Sequence, residues 1–158
     1  MKPDAIATQK EILQQCRGIY TDKDVETTKD LKSLLGDIDF LNSSTSNSGW
    51  RIRNNFLYTA LSVAYALYSC RKKSKVMTYL AEYETRKPRS DGNQAVRFIK
   101  LCLPKYDRRS LSRFGKVLPI AKKQQISPKE LYETLLSSGG VQNFLQKNDF
   151  RDGNDALK

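Results

Sequence analysis

The periodic spacing of apolar side chains is strongest in the middle of the chain, between Trp50 and Lys72. From Phe56 to Cys70 no side chain carries a charge, and apolar residues recur at intervals of three and four. These intervals match the period of an α-helix with a broad apolar face. The run is shorter than the about 20 apolar residues that span a bilayer, and it contains several hydroxyl groups. We therefore expect residues 50–72 to form a buried helix at the centre of a compact all-α, multi-helix single domain.

Two shorter patterns precede this helix and predict a helical pair that is acidic overall. The first covers residues 4–17 and is expected to end at Gly18, because glycine favours helix ends. The second begins after a potential N-cap at Thr21 and is expected to end before Gly36. Residues 1–41 are thus predicted to form an acidic helical hairpin, which either packs on the rest of the domain or mediates pairing of two copies.

The amino-acid composition predicts the nature of the remaining segments. Residues 42–49 are rich in serine and asparagine, which predicts a loop. A basic helical core is expected over residues 50–147, followed by a polar tail over residues 148–158 that frays. Residues 74–84 keep the helical spacing, but the pattern does not decide whether they extend the central helix.

Prolines and capping residues mark further helices within the core. Residues 94–103 are expected to form a short helix that Pro104 stops. Asp107 is suited to cap a helix that runs to Leu118. Pro119 then either kinks that helix or opens the next one, as proline does at a first helical position.

The clearest local signal is a capping box that begins at Ser127. The serine oxygen can accept a hydrogen bond from the third helical amide, and Glu130 can reach back to the amide of the N-cap residue. Pro128 stands at the first helical position, where its fixed backbone angle suits a helix. This helix is expected to end near Ser137, and a last short helix is expected over residues 141–147.

The charged residues are distributed unevenly along the chain. The formal net charge is +11, with 28 lysines and arginines against 17 acidic residues. Residues 50–127 hold eighteen basic and four acidic residues, whereas the segments before and after them are slightly acidic. An excess of this size in one segment should attract a polyanion. Nucleic acid is the first candidate and an anionic membrane surface is the second.

The residue types present limit the chemistry that the chain can perform. It contains no histidine, which excludes Ser-His and Cys-His nucleophile pairs. Cys16, Cys70 and Cys102 are far apart and form no CxxC pair, so we expect no zinc site, no other metal and no cofactor. Cys70 and Cys102 lie among apolar residues, as buried thiols in a reducing compartment do. A tyrosine nucleophile assisted by arginines is the one catalytic alternative, and we expect a non-enzymatic protein.

The first residues of the chain carry no long apolar run of the kind found in secretory signals. We therefore expect a cytoplasmic protein. Given the basic charge, a nucleoid-associated location is expected in a bacterial host and a nuclear location in a eukaryotic host.

Residues 119–138 resemble a helix-turn-helix unit. Ile126 stands at the position of the turn, Ser127 caps the second helix, and apolar residues of both helices can face a core. The resemblance implies that the second helix enters the major groove of DNA. It further implies that Lys129 and Tyr132 face the bases.

The sequence departs from that motif in two places, and two acidic residues also disfavour it. Gln125 stands where such turns usually carry glycine, and Gln124 stands where an apolar residue is expected. Glu130 and Glu133 on the second helix would meet a phosphate-rich surface, which is electrostatically unfavourable. The alternative is two ordinary packed helices joined by a capped turn.

The basic side chains are expected to converge on one exposed surface that binds nucleic acid, with double-stranded DNA favoured over RNA. Neutralising six phosphates would give a salt slope of about −5 on the logarithmic scale. Residues 86–89 form a cationic loop, which is either an arm for a minor groove or a solvated turn. We expect a regulatory or architectural role. The residues predicted to bind nucleic acid are Arg71, Lys72, Lys73, Lys75, Arg86, Lys87, Arg89, Arg108, Arg109, Arg113, Lys116, Lys122, Lys123, Lys129 and Tyr132.

A second function class is compatible with the same charge pattern. The protein could be a structural or interaction protein, of the matrix- or capsid-associated type, whose basic face binds an anionic membrane or an acidic partner. Either class allows a homo-oligomer. Binding to DNA, RNA and anionic liposomes distinguishes the two classes.

Overall fold

The computed structural model describes residues 5–20, 28–45, 49–69, 94–104 and 106–156. Within these ranges the backbone is almost entirely helical and forms no strand. The prediction of a compact all-α domain is confirmed. The helices are α1 (Ala5–Tyr20), α2 (Thr28–Thr45), α3 (Trp50–Ser69), α4 (Gln94–Cys102), α5 (Arg108–Gly115), α6 (Val117–Lys123), α7 (Pro128–Ser138) and α8 (Val141–Ala156).

Helix α3 occupies the centre of the fold, as its apolar pattern predicts. Every residue from 56 to 67 is buried, so the helix is enclosed on all sides. It packs against α1, α2, α4, α6 and α7. Ala60, Ala64 and Ala66 are fully buried and allow close approach of the surrounding helices. The predicted helix over 50–72 is confirmed as far as Ser69, and its last three residues lie outside the described residues.

Helix α1 is fixed to the centre of the fold by the side-chain amide of Gln9. Its Nε2 lies 2.9 Å from Oγ1 of Thr59, 3.3 Å from the hydroxyl of Tyr132 and 3.4 Å from the backbone oxygen of Asn55. The Thr59 hydroxyl in turn donates to the oxygen of Asn55 at 2.9 Å. Because these acceptors belong to α3 and α7, one amide connects three helices and satisfies a polar group inside the core.

Helix α2 is longer than the sequence predicts. Gly36 does not end it, and the predicted loop over 42–49 is wrong for residues 42–45, which are helical. Leu34, Ile38 and Leu41 share one face of α2 and are buried in the core. Their burial, worth about 1.5–3 kcal/mol per large side chain, exceeds the about 1 kcal/mol cost of glycine inside a helix. Likewise α1 continues through Gly18 to Tyr20, so the prediction that Gly18 ends it is also wrong.

The chain after residue 147 also differs from the prediction of a frayed tail. Helix α8 continues to Ala156. Asn148, the first residue of the predicted tail, is buried, and its Nδ2 donates to the oxygen of Phe144 at 2.8 Å. Its Oδ1 accepts a hydrogen bond from Nε2 of Gln124. A polar residue therefore extends this helix because its side chain has partners in the fold.

Helices α5 and α6 are separated at Lys116, where the predicted single helix to Leu118 divides. Gly115 ends α5 against α4: a methyl group there would lie 2.6 Å from Cγ2 of Val96. Pro119 neither kinks α5 nor opens α6, because it is the third residue of α6. Proline is tolerated in this first helical turn since the amides there lack helical acceptors.

The local signals of the other helix ends are confirmed. Asp107 caps α5, and Ser127 and Glu130 form the reciprocal capping box of α7. Gly139 adopts a left-handed conformation, with φ of 85°, and ends α7 one residue after the expected position. Helix α4 ends at Cys102, close to the predicted stop at Pro104.

Two glycine-to-alanine substitutions should change stability in opposite directions. Gly36→Ala should raise the free energy of unfolding by about 0.5–1 kcal/mol, because α2 gains helix propensity and the new methyl group meets nothing within 4 Å. Gly115→Ala should lower it by about 1–3 kcal/mol through overpacking against Val96. Urea unfolding followed by circular dichroism measures both.

Val96→Ala provides the control for the second substitution. It removes the Cγ2 atom that the Gly115→Ala methyl group would meet, so Gly115→Ala should cost less in that background than in the wild type. Equal costs in the two backgrounds would contradict the assigned contact.

Candidate functional site

Helix α5 presents one charged face and one apolar face. Leu111, Phe114 and Gly115 are buried, whereas all three arginines of the helix are exposed to solvent. Because α-helical residues at intervals of three and four share a face, the exposed cations of α5 are brought together along one side. The exposed residues of this face are Arg108, Arg109, Ser112, Arg113 and Lys116.

A cleft of about 660 Å³ lies along this face of α5. Helix α8 forms the opposite wall, with Gln142 and Gln146 exposed and the buried Leu145 between them. We call this feature the α5–α8 cleft. Its described lining residues are Arg108, Arg109, Ser112, Arg113, Lys116, Gln142, Leu145 and Gln146.

The electrostatics of the α5–α8 cleft are strongly one-sided. Among its described lining residues four are cationic and none is acidic. The nearest described acid along the chain is Asp107, which caps α5 by accepting a hydrogen bond from the Ser110 amide at 2.9 Å. Hydrogen bonding to Ser110 lowers the pKa of Asp107, and the charge of Arg109 lowers it further. One carboxylate therefore remains beside four cations, and the cleft keeps a net positive charge.

Two aromatic rings, those of Phe114 and Tyr106, pack next to the cationic face of α5. The guanidinium carbon of Arg113 lies 5.5 Å from the ring centroid of Phe114, within cation–π range. Tyr106 packs edge-on against Phe114 with ring centroids 5.4 Å apart. Burial raises the pKa of Tyr106, while the charge of Arg53 acts in the opposite direction.

Lys122 and Lys123 are exposed at the end of α6. Cations in a last helical turn are stabilised by the helix dipole. The Nζ of Lys122 lies 5.4 Å from the ring centroid of Tyr68, which holds its apolar stem against α3. Helix α6 packs on α8, although these two lysines are not among the described lining residues of the cleft.

The turn between α6 and α7 has an unusual backbone. Gln125 has φ of 57°, a left-handed conformation that usually falls to glycine. The amide of Ile126 donates to the oxygen of Ala121 at 3.0 Å, and the hydroxyl of Tyr65 donates to the oxygen of Ile126. The turn is therefore tied to the buried helix α3.

Helix α7 places its two predicted binding residues differently from each other. Lys129 is exposed, whereas Tyr132 is half-buried, edge-on to Tyr58 at 6.4 Å and hydrogen-bonded to Gln9. Neither is among the described lining residues of the α5–α8 cleft. The exposed residues of α7 are Lys129, Glu130, Glu133, Leu136 and Ser137.

The predicted binding residues thus divide into three groups. The structure brings four of them together in the α5–α8 cleft and places four others on α6 and α7. The rest lie outside the described residues: Arg71, Lys72, Lys73, Lys75, Arg86, Lys87 and Arg89.

Gln142 and Gln146 were not among the residues predicted from sequence. Both are uncharged, so the charge pattern of the sequence does not indicate them. A signal was present, because they are four residues apart beside the apolar Phe144 and Leu145, which places them on one face of the last helix. What the sequence does not show is that this face lies opposite α5.

Comparison with known proteins gives no family assignment: no protein-family model, curated protein or solved structure matches the chain. Within the described ranges, no helix combines the length and the apolarity required to cross a membrane. The described side chains also contain no group of three or more histidine, cysteine or acidic residues that could hold a metal ion.

Cys102 should be unreactive in the folded protein. Burial raises the pKa of its thiol to about 12, so the thiol is neutral at pH 8, and the thiolate is the reactive form. In a variant with Cys16→Ser and Cys70→Ser, we expect no reaction with a disulfide reagent at pH 8 and full reaction in guanidinium chloride. Rapid labelling under native conditions would contradict the described burial.

Proposed function

We propose that this is a non-enzymatic nucleic-acid-binding protein that binds the phosphate backbone of double-stranded DNA through the α5–α8 cleft. The observation that carries the proposal is the convergence of Arg108, Arg109, Arg113 and Lys116 on one cleft whose other described lining residues are uncharged. Phosphate contacts from lysine and arginine supply most of the affinity of such proteins. Lys122 and Lys123 would extend the contact along α6.

The composition of the cleft favours a duplex over an unpaired strand. Proteins that bind single strands stack bases on aromatic side chains. No aromatic residue is among the described residues lining the cleft. Tyr106 and Phe114 instead pack against each other behind the cationic face. The cleft therefore offers charge for a backbone and no described surface on which a base could stack.

The same observations separate this proposal from membrane binding. Peripheral membrane proteins usually combine a basic surface with exposed apolar residues that enter the lipid. In the described part of the chain, the exposed large apolar residue is Leu136, which lies on α7 and is not among the described cleft-lining residues.

A duplex-binding protein of this kind would act in the cytoplasm, at a nucleoid or in a nucleus. Pairing of two copies through α1 and α2 remains a prediction.

Binding to a labelled duplex should depend on salt and on the cleft. Four phosphate contacts would give a slope of about −3.6 for the logarithm of the binding constant against the logarithm of the salt concentration. Arg109→Glu should weaken binding at least about tenfold and make the slope shallower by about one contact. Fluorescence anisotropy at several salt concentrations measures both quantities.

Two further variants control this experiment. Lys10→Glu makes the same change in net charge at an exposed position of α1 outside the described cleft lining, and affinity should stay within about twofold, as expected for one screened surface charge. Asp107→Asn keeps a good N-cap but removes the carboxylate beside Arg109, so it should tighten binding about two- to fivefold, because one negative charge fewer repels the phosphates. Absent binding at low salt, equal losses from Lys10→Glu and Arg109→Glu, or stronger binding to anionic liposomes than to DNA would contradict the proposal.

The helix-turn-helix hypothesis is a second candidate for the way in which DNA is contacted. Its support is the left-handed backbone of Gln125, which is the conformation that glycine supplies in such turns. Against it, the exposed face of α7 carries two glutamates beside Lys129.

Lys129→Glu separates this hypothesis from binding by the α5–α8 cleft. If α7 enters the groove, Lys129→Glu should weaken duplex binding about as much as Arg109→Glu does. If the cleft is the contact, Lys129→Glu should change affinity by less than about threefold, in line with the effect of an exposed rim charge. The same anisotropy titration distinguishes the two outcomes.

A further inference from the structure

The two walls of the α5–α8 cleft differ in chemistry. Three described cations of the cleft belong to α5 and the fourth, Lys116, directly follows it, whereas α8 contributes the uncharged amides Gln142 and Gln146. An amide does not neutralise a phosphate, but it offers a hydrogen-bond donor and an acceptor side by side. The α8 wall is therefore suited to a part of the ligand that is polar and not ionised.

Packing on the rest of the fold sets the position of the α8 backbone at these two glutamines. Val141, Phe144 and Leu145 are buried, so the helix is packed along the side next to the glutamines. One turn further on, the buried Asn148 accepts a hydrogen bond from Gln124, which directly follows α6. Gln142 and Gln146 lie one helical turn apart, about 5–6 Å between their Cβ atoms. They are exposed on a helix whose position is set by its neighbours.

In a duplex, the grooves between the two phosphate backbones expose the uncharged polar edges of the bases. A glutamine amide pairs with adenine in the major groove, where it donates to N7 and accepts from the N6 amino group. The major groove is about 12 Å wide and admits one α-helix. Helix α8 has 16 residues, a length of about 24 Å, which suffices to cross it.

We propose that α8 is the helix that contacts base edges, with Gln142 and Gln146 pairing with adenines while the cations of α5 bind the flanking phosphates. This assignment rests on the proposed duplex binding and specifies which residues give it sequence preference. The exposed surface of α7 is less suited to that position, because Glu130 and Glu133 would face the phosphates.

The assignment is tested with two duplexes of equal length, one of alternating A·T pairs and one of alternating G·C pairs. Alternation presents adenines at every step on one strand or the other, so that no target sequence or register has to be known. A third duplex carries 7-deazaadenine in place of adenine. It keeps base pairing but lacks N7, the acceptor that the glutamine amide would use.

The wild-type protein should bind the A·T duplex about tenfold more tightly than the G·C duplex, the discrimination expected of a bidentate amide–adenine contact. The 7-deazaadenine duplex should lose that preference. The double variant Gln142→Ala, Gln146→Ala should also bind the three duplexes alike, with a salt slope equal to that of the wild type, because no phosphate contact is removed. Alanine favours helices, so α8 should stay folded, which circular dichroism checks.

Asn143→Ala is the matched control. Asn143 is an exposed amide beside Gln142 on the same helix, but its Nδ2 faces the oxygen of Gly139 at 3.5 Å and it is not among the described lining residues of the cleft. This variant should keep the full preference for adenine. The comparison isolates amides that face the cleft from amides of α8 in general.

The possible failures are distinguishable. If no duplex is bound at low salt, the proposed function and this assignment are both wrong. If duplexes are bound with a steep salt slope but the 7-deazaadenine duplex binds as tightly as the A·T duplex, only the base contact is wrong. A double variant that keeps the wild-type preference, or loses affinity together with salt slope, would also overturn the role of the two glutamines.

Discussion

Complete enclosure of α3 is the constraint on which the rest of the fold depends. Residues 56–67 are all buried, and among the described helices five pack on the central helix with their own apolar residues. Charged side chains are then confined to the outer faces of the covering helices, since an unpaired charge costs far more inside than at the surface. The Gln9 amide shows the same rule in the interior, where a polar group remains because α3 and α7 supply its acceptors.

The packing of α5 concentrates positive charge on one outer face of the fold. Leu111 and Phe114 fix the orientation of the helix, so its arginines and its lysine neighbour point the same way. Like charges at helical spacings of three and four repel each other by about 0.2–0.5 kcal/mol per pair. Arg109 and Arg113 have this spacing, and so do Arg113 and Lys116. This repulsion slightly lowers the stability of the unbound protein, and an anionic ligand bound between the cations would offset it.

Much of the fold could be predicted from sequence because the decisive signals are local. The apolar run of α3, the cap at Asp107 and the capping box at Ser127 each act within a few residues, and the structure has each of them as expected. The errors occur where distant contacts decide. Residues 42–45 and 148–156 look like a loop and a tail by polarity, yet both continue helices that are anchored by burial elsewhere.

The candidate site was predictable only in part for the same reason. The cationic face of α5 follows from helical periodicity and needs no tertiary information. Its pairing with Gln142 and Gln146, about 30 residues further along the chain, depends on how α8 packs, and no local pattern specifies that. Tyr132 illustrates the converse: an aromatic residue that looks available for bases is half-buried against Tyr58.

The most direct test of the account is to locate the DNA contact by NMR. A titration of ¹⁵N-labelled protein with a short duplex at low salt should shift the backbone and arginine Nε resonances of α5 and the side-chain amide resonances of α8 that line the cleft. The resonances of residues 129–137 should stay in place. Shifts concentrated in α7, or the absence of shifts in α5 at saturating duplex, would contradict a phosphate-binding cleft between α5 and α8.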